Sequence, residues 1–148
     1  MTNYAYYHQN PINKGIHFVC IPMIVLTSMN FLREIKIYKF GPILRKYIMR
    51  KNVRLNDIVK FMYHMYYFNQ SYSSYVVMYF YFEFLEVLSI EWKKYDNKWK
   101  RNSIALFLFS WILQFLGHYI EGRRPALTDS IIGAFTDAPL FSIKYLGE

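Results

Sequence analysis

One cysteine and ten acidic residues are all that this 148-residue chain has of those types. Cys20 has no second thiol in the chain, so a disulfide framework and a zinc site built on paired cysteines are both excluded. The two-histidine zinc-protease motif, the P-loop, the glycine-rich dinucleotide turn and the GxSxG nucleophile elbow are all absent. There is no internal repeat and no low-complexity linker. No secretory signal peptide is expected. The first fifteen residues are polar and aromatic, and no small-residue cleavage site follows the first apolar run.

Acidic residues are outnumbered by eighteen Lys and Arg, leaving a net charge of +8. The cations gather in two stretches. One holds Arg33, Lys36, Lys39, Arg45, Lys46, Arg50, Lys51 and Arg54; the other holds Lys93, Lys94, Lys98, Lys100 and Arg101. They fall between apolar runs, not along one helix, and no nucleic-acid-binding motif accompanies them. No nucleic acid partner is therefore expected. Basic loops beside apolar segments are signals of membrane topology.

Long apolar runs are what the chain does have. Residues 16–32 are nearly uncharged and just long enough to span a bilayer, which takes ~20 residues. Pro22 inside the run is tolerable in a membrane helix, where neighbours re-satisfy the freed carbonyl. Residues 72–90 form a longer run that carries Glu83 and Glu86, and residues 103–120 form the clearest span. Residues 58–69 are apolar and aromatic but short. Residues 33–56 read as a basic loop with an interfacial helix near 43–49, punctuated by Gly41-Pro42. Residues 130–146 are mildly apolar and interrupted at Asp137-Ala138-Pro139. The expectation is an all-α, helical integral-membrane bundle with about four membrane segments, forming a single membrane-embedded domain over residues 1–148. The fifteen Tyr and thirteen Phe are a bias of the whole chain, so aromatic clusters such as Tyr63–Tyr67 are read as packing.

Histidines mark the two ends. His8 and His17 lie nine residues apart around Asn10-Pro11, before the first span. Asn10 precedes proline and avoids the helical region, which leaves His8 on an extended segment. Asn13 is a reasonable N-cap, with His17 on the first turn. At the other end His118 and Glu121 share a helix face, and Gly122-Arg123-Arg124-Pro125 stops that helix. Imidazole is the commonest protein metal ligand. Three rings at apolar boundaries point to a metal centre at a membrane surface. His64 lacks any flanking pattern and is read as structural. Glu83 and Glu86 share a face and either meet a polar interior or snorkel outward.

To share a site, His17 and His118 must lie on one side of the membrane. Three spans would separate them; a fourth crossing or re-entrant segment near residues 56–70 reunites them. Both basic stretches then fall on the opposite face, which the positive-inside rule makes cytosolic.

At Tyr7, His8, Pro11, Asn13, Lys14, His17, Ile21 and Pro22, and again at Gln114, Gly117, His118, Glu121, Gly122, Arg123, Arg124, Pro125 and Ala126, the chain resembles a known family. It is similar to the small integral-membrane 2-hydroxy-fatty-acid dioxygenases. Leu127, Ala138, Pro139, Phe141 and Glu148 extend the likeness. Cys20 departs from it, standing where the family usually has glycine, and the middle matches only in being apolar. The resemblance implies an Fe(II)-dependent enzyme of the endoplasmic reticulum that uses O2 to shorten a 2-hydroxy fatty acid by one carbon. In the family this serves phytosphingosine breakdown, and no 2-oxoglutarate is implied. It further implies iron held by His8, His17 and His118. Glu121 would orient an imidazole N–H, and Arg124 would pair with the substrate carboxylate. The alternative reading is a non-catalytic membrane lipid-binding or scaffold protein.

Overall fold

The computed structural model describes residues 10–48, 52–122 and 131–144. In chain order the described elements are α1 (Pro11–Leu32), β1 (Lys36–Lys39), α2 (Pro42–Ile48), β2 (Asn52–Arg54), α3 (Leu55–Gln70), α4 (Tyr72–Tyr95), α5 (Trp99–Glu121) and α6 (Ile131–Lys144). Three helices, α1, α4 and α5, are long and apolar enough to cross a membrane. The protein is thus an all-α bundle with the three stronger spans expected from sequence. The short fourth segment forms as the 16-residue α3. At ~1.5 Å per residue it reaches about 24 Å, short of the ~30 Å hydrocarbon core.

The burial pattern of α5 is the reverse of a soluble helix. Its buried residues are Ser103, Ser110, Gln114, Gly117 and His118. Ile104, Leu108, Phe109, Ile112, Phe115 and Leu116 are exposed. Spacings of three, four and seven put the small and polar residues on one stripe, where helices approach closely and hydrogen-bond. The large apolar residues are left to face lipid.

Local chemistry sets the boundaries. α1 starts earlier than the apolar run does. The Asn10 side-chain oxygen accepts the Ile12 N–H at 2.9 Å, and Pro11 occupies the first helical position, where its fixed φ suits the helix. Asn10 is therefore the cap, and Asn13, expected to cap, lies inside the helix. Pro22 does not interrupt α1. Ser71 separates α3 from α4 and caps the latter, its side chain accepting the Ser74 N–H at 3.1 Å. Gly122 ends α5 at φ 73°, a left-handed conformation that glycine adopts without steric cost.

Two further expectations are corrected. The basic stretch contains a two-stranded antiparallel hairpin, with Lys36 opposite Arg54 and Lys39 opposite Asn52, as well as the expected short helix, α2. All four residues of β1 are exposed, so no alternation of apolar and polar residues signals the strand. In α6, Asp137-Ala138-Pro139 does not break the helix. Pro139 and Leu140 are buried in it, and the Ser142 hydroxyl donates to the Pro139 carbonyl at 2.8 Å. Proline lacks the N–H but keeps a helical φ, and packing holds the turn.

The described residues fall into two compact units, 1–27 with 101–148, and 28–100. In the second, α3 packs along α4 through Tyr67, Met78, Phe82 and Leu85. The same unit buries a charge network. The Lys60 ammonium bridges Glu83 and Glu86. Asn56 donates to Glu86 at 3.3 Å, and the Arg33 guanidinium lies 3.5 Å from it. The two carboxylates of α4 therefore meet a polar interior, Glu86 more fully than Glu83, whose side chain is 41% exposed. A buried ion pair is tolerated when both partners are satisfied. Lys60, the residue that satisfies them, was not singled out from the sequence. His64 lies among Tyr75, Tyr79 and Phe82.

Candidate metal centre

The first unit brings together the described parts of the two histidine-bearing segments. His17, on the second turn of α1, and His118, near the end of α5, are both buried, and their ring centroids are 4.9 Å apart at 82°. Helices α1 and α5 approach closely because Gly117 presents no side chain. A Cβ there would collide with the Asn13 carboxamide oxygen and press on the Ile16 side chain at 3.3 Å.

Asn13 and Glu121 clamp the same approach. One Glu121 oxygen accepts the Asn10 backbone N–H at 3.0 Å, and the other accepts the Asn13 side-chain N–H at 2.5 Å. Glu121 thus ties the end of α5 to the first turn of α1. Asn13 then passes the constraint on, because its backbone carbonyl lies 2.9 Å from His17 Nδ1. A carbonyl oxygen only accepts, so His17 carries its proton on Nδ1. In the neutral ring this leaves on Nε2 the lone pair that a metal needs.

Two imidazoles on neighbouring positions of one octahedral metal bring their centroids to roughly 4.5–5 Å, given metal–nitrogen bonds of about 2.1 Å. The observed separation and the His17 tautomer fit such a pair. Among the described residues no group of three His, Cys, Asp or Glu gathers around one point. His8, expected as the third ligand, and Arg124, expected at the substrate carboxylate, lie outside the described residues.

A family model described as "2-hydroxy-palmitic acid dioxygenase Mpo1-like" matches residues 1–148. The chain belongs to the Mpo1-like family. It is also similar to the 2-hydroxy-palmitic acid dioxygenase MPO1 of Saccharomyces cerevisiae, at 27% identity over 139 residues. That alignment covers 93% of this chain and 72% of the yeast protein. No solved structure matches. The family likeness seen in the sequence lay in both end segments, and the fold joins the parts of them it describes: Asn13 and His17 from one, Gly117, His118 and Glu121 from the other.

Sequence reasoning missed the part played by Asn13. Its signal was a carboxamide four residues before His17, on the same helix face, at the start of an apolar run. Gln114 and Ser110 continue the buried polar stripe below His118 at the same spacing.

Proposed function

We propose that this protein is an Fe(II)-dependent dioxygenase that shortens 2-hydroxy fatty acids by one carbon. Its place would be the endoplasmic reticulum membrane, in the alpha-oxidation step of phytosphingosine breakdown. The observation that carries the reading is the buried His17–His118 pair, 4.9 Å apart, formed by the two segments in which the family likeness lies.

In this reading His8, His17 and His118 hold the iron. Three neutral imidazoles would leave the iron its full positive charge, which favours an anionic 2-hydroxy acid, and the bound iron would supply the redox chemistry with O2. Asn13 holds the His17 ring with Nε2 turned to ligation. Glu121 acts through Asn13, fixing the first turn of α1 against the end of α5. Arg124 pairs with the substrate carboxylate, since a guanidinium fork matches it bidentately. The acyl chain lies among apolar side chains of the bundle.

The reaction balances with no added reductant or 2-oxo acid. R–CH(OH)–COOH and O2 give R–COOH, CO2 and H2O; the bond between C1 and C2 breaks and dioxygen takes up four electrons.

The test is product analysis. The full chain is purified in detergent, loaded anaerobically with Fe(II) and given 2-hydroxypalmitate and air. The expected product is the acid one carbon shorter, lost on chelation. Bound iron with no turnover on any 2-hydroxy acid would overturn the reading in favour of a lipid-binding scaffold. His17→Ala is expected to abolish iron retention while the protein stays in the membrane. Arg124→Lys is expected to raise KM more than it lowers kcat.

A further inference from the structure

The basic excursion between α1 and α3 has no part in the proposed reaction. It is a built structure. The Leu55 N–H donates to the Ile35 carbonyl at 2.8 Å, and the Arg54 guanidinium donates to the Arg33 carbonyl at 3.0 Å. A cleft of about 520 Å³ opens on it, lined by Lys36, Ile37, Tyr38, Lys39, Arg45 and Asn52. Among the described residues the lining holds three cations and no carboxylate. The Arg45 Nε–H donates to the Phe40 carbonyl at 2.7 Å, which fixes its guanidinium at the cleft.

Beside the cations the excursion exposes large apolar groups. Ile43 is 76% exposed and Tyr47 77%, with Leu44 between them in sequence. At about 100° per residue these three lie within one third of the α2 circumference, and Arg45 and Lys46 lie outside that third. Ile37 and Tyr38 are exposed at the cleft itself. An aqueous surface gives no reason to present such groups together. A bilayer interface does: apolar side chains enter the headgroup layer while basic ones meet phosphate. Lys36 follows the last residue of α1, a membrane-spanning helix, by only four positions.

We propose that the hairpin and α2 form a docking site for the headgroup of an anionic phospholipid, with Lys36, Lys39 and Arg45 taking its charge and Ile43 and Tyr47 entering the bilayer. Juxtamembrane cations are drawn to anionic lipid, roughly fivefold in affinity for each one near the surface. The site shares no residue with the histidine pair and does not depend on the enzymatic reading.

The test is lipid retention by the intact protein, followed by native mass spectrometry from neutral detergent doped with phosphatidylserine or phosphatidylcholine. Phosphatidylserine is expected to bind at least tenfold more tightly, and less so as salt rises. The Lys36→Gln/Lys39→Gln/Arg45→Gln variant is expected to lose on the order of 100-fold in that affinity. The Ile43→Ser/Tyr47→Ser variant, with all charges kept and circular dichroism unchanged, is expected to weaken it as well. Equal retention of the two lipids, or an undiminished preference in either variant, would overturn the proposal. So would displacement by millimolar inorganic phosphate, which would assign the cleft to free phosphate. A lipid-independent dimer lost in the triple variant would assign the surface to a second copy of the chain.

Discussion

The carboxylate of Glu121 accepts a hydrogen bond from the Asn13 side chain at 2.5 Å, across 108 residues of chain. This contact joins the closing turn of α5 to the opening turn of α1, and the two histidines face each other one turn further in. Asn13 meets Glu121 with its side chain and His17 with its backbone, so one residue sets both the helix approach and a ring orientation.

Asn13→Asp replaces the donor to Glu121 by a second carboxylate. The change is expected to cost about 1–3 kcal/mol of stability, the scale for losing a hydrogen bond to a charged group. Iron retention is expected to fall by roughly 10–100-fold, as for other residues that orient metal ligands. Thermal unfolding in detergent and the iron-to-protein ratio measure the two effects; a variant that unfolds and binds iron like the parent would refute the clamp.

Gly117→Ala and Gly15→Ala should act in opposite directions. Alanine at 117 drives a methyl group into the Asn13 carboxamide, and overpacking of this kind typically costs about 1–3 kcal/mol. At 15 nothing lies within 4 Å of the added methyl, and alanine favours a helix over glycine by up to about 1 kcal/mol. Unfolding midpoints of the two variants should fall on either side of the parent.

Lys60→Met leaves Glu83 and Glu86 without their shared cation. Stripping one partner from a buried pair costs up to ~3–5 kcal/mol. Adding Glu83→Gln to Lys60→Met is expected to recover more than adding Glu86→Gln, because Glu86 keeps the Arg33 guanidinium at 3.5 Å and the Asn56 amide at 3.3 Å, and neutralising it would strip Arg33 in turn. Equal recovery by the two second-site changes would show that Arg33 does not depend on Glu86.

Glu34 supplies a small acid-sensitive contribution. Lys93 donates to its carboxylate at 2.7 Å and holds its pKa below the usual range. A depressed folded-state pKa contributes stability above the unfolded value, and that contribution fades as pH falls through the folded one. The Glu34 side chain is 52% exposed, so the effect of Glu34→Gln at neutral pH is expected to be under ~1 kcal/mol. Denaturation of the two proteins should differ above about pH 5 and converge in stronger acid; a difference that grows on acidification would refute the assignment.

The sequence by itself determined the helices that could cross a membrane, because runs of uncharged apolar residues have few other stable fates. It also marked the two end segments, through residues whose spacing ties them to a family. It did not determine the hairpin in the basic stretch, whose strands are exposed or half-buried throughout and so carry no period. Nor did it reveal how α6 passes Pro139 unbroken, since packing there offsets a local penalty. The role of Asn13 was hidden for a different reason. An asparagine near a helix start reads as a cap, and only the arrival of Glu121, 108 residues later, makes it a clamp. Likewise Glu83 and Glu86 were visible as charges in an apolar helix, but Lys60, on another helix, settles which way they face. Local pattern fixes elements; partners far apart in the chain are decided by which faces the tertiary structure presses together, because a buried polar group must find its match wherever the fold supplies one.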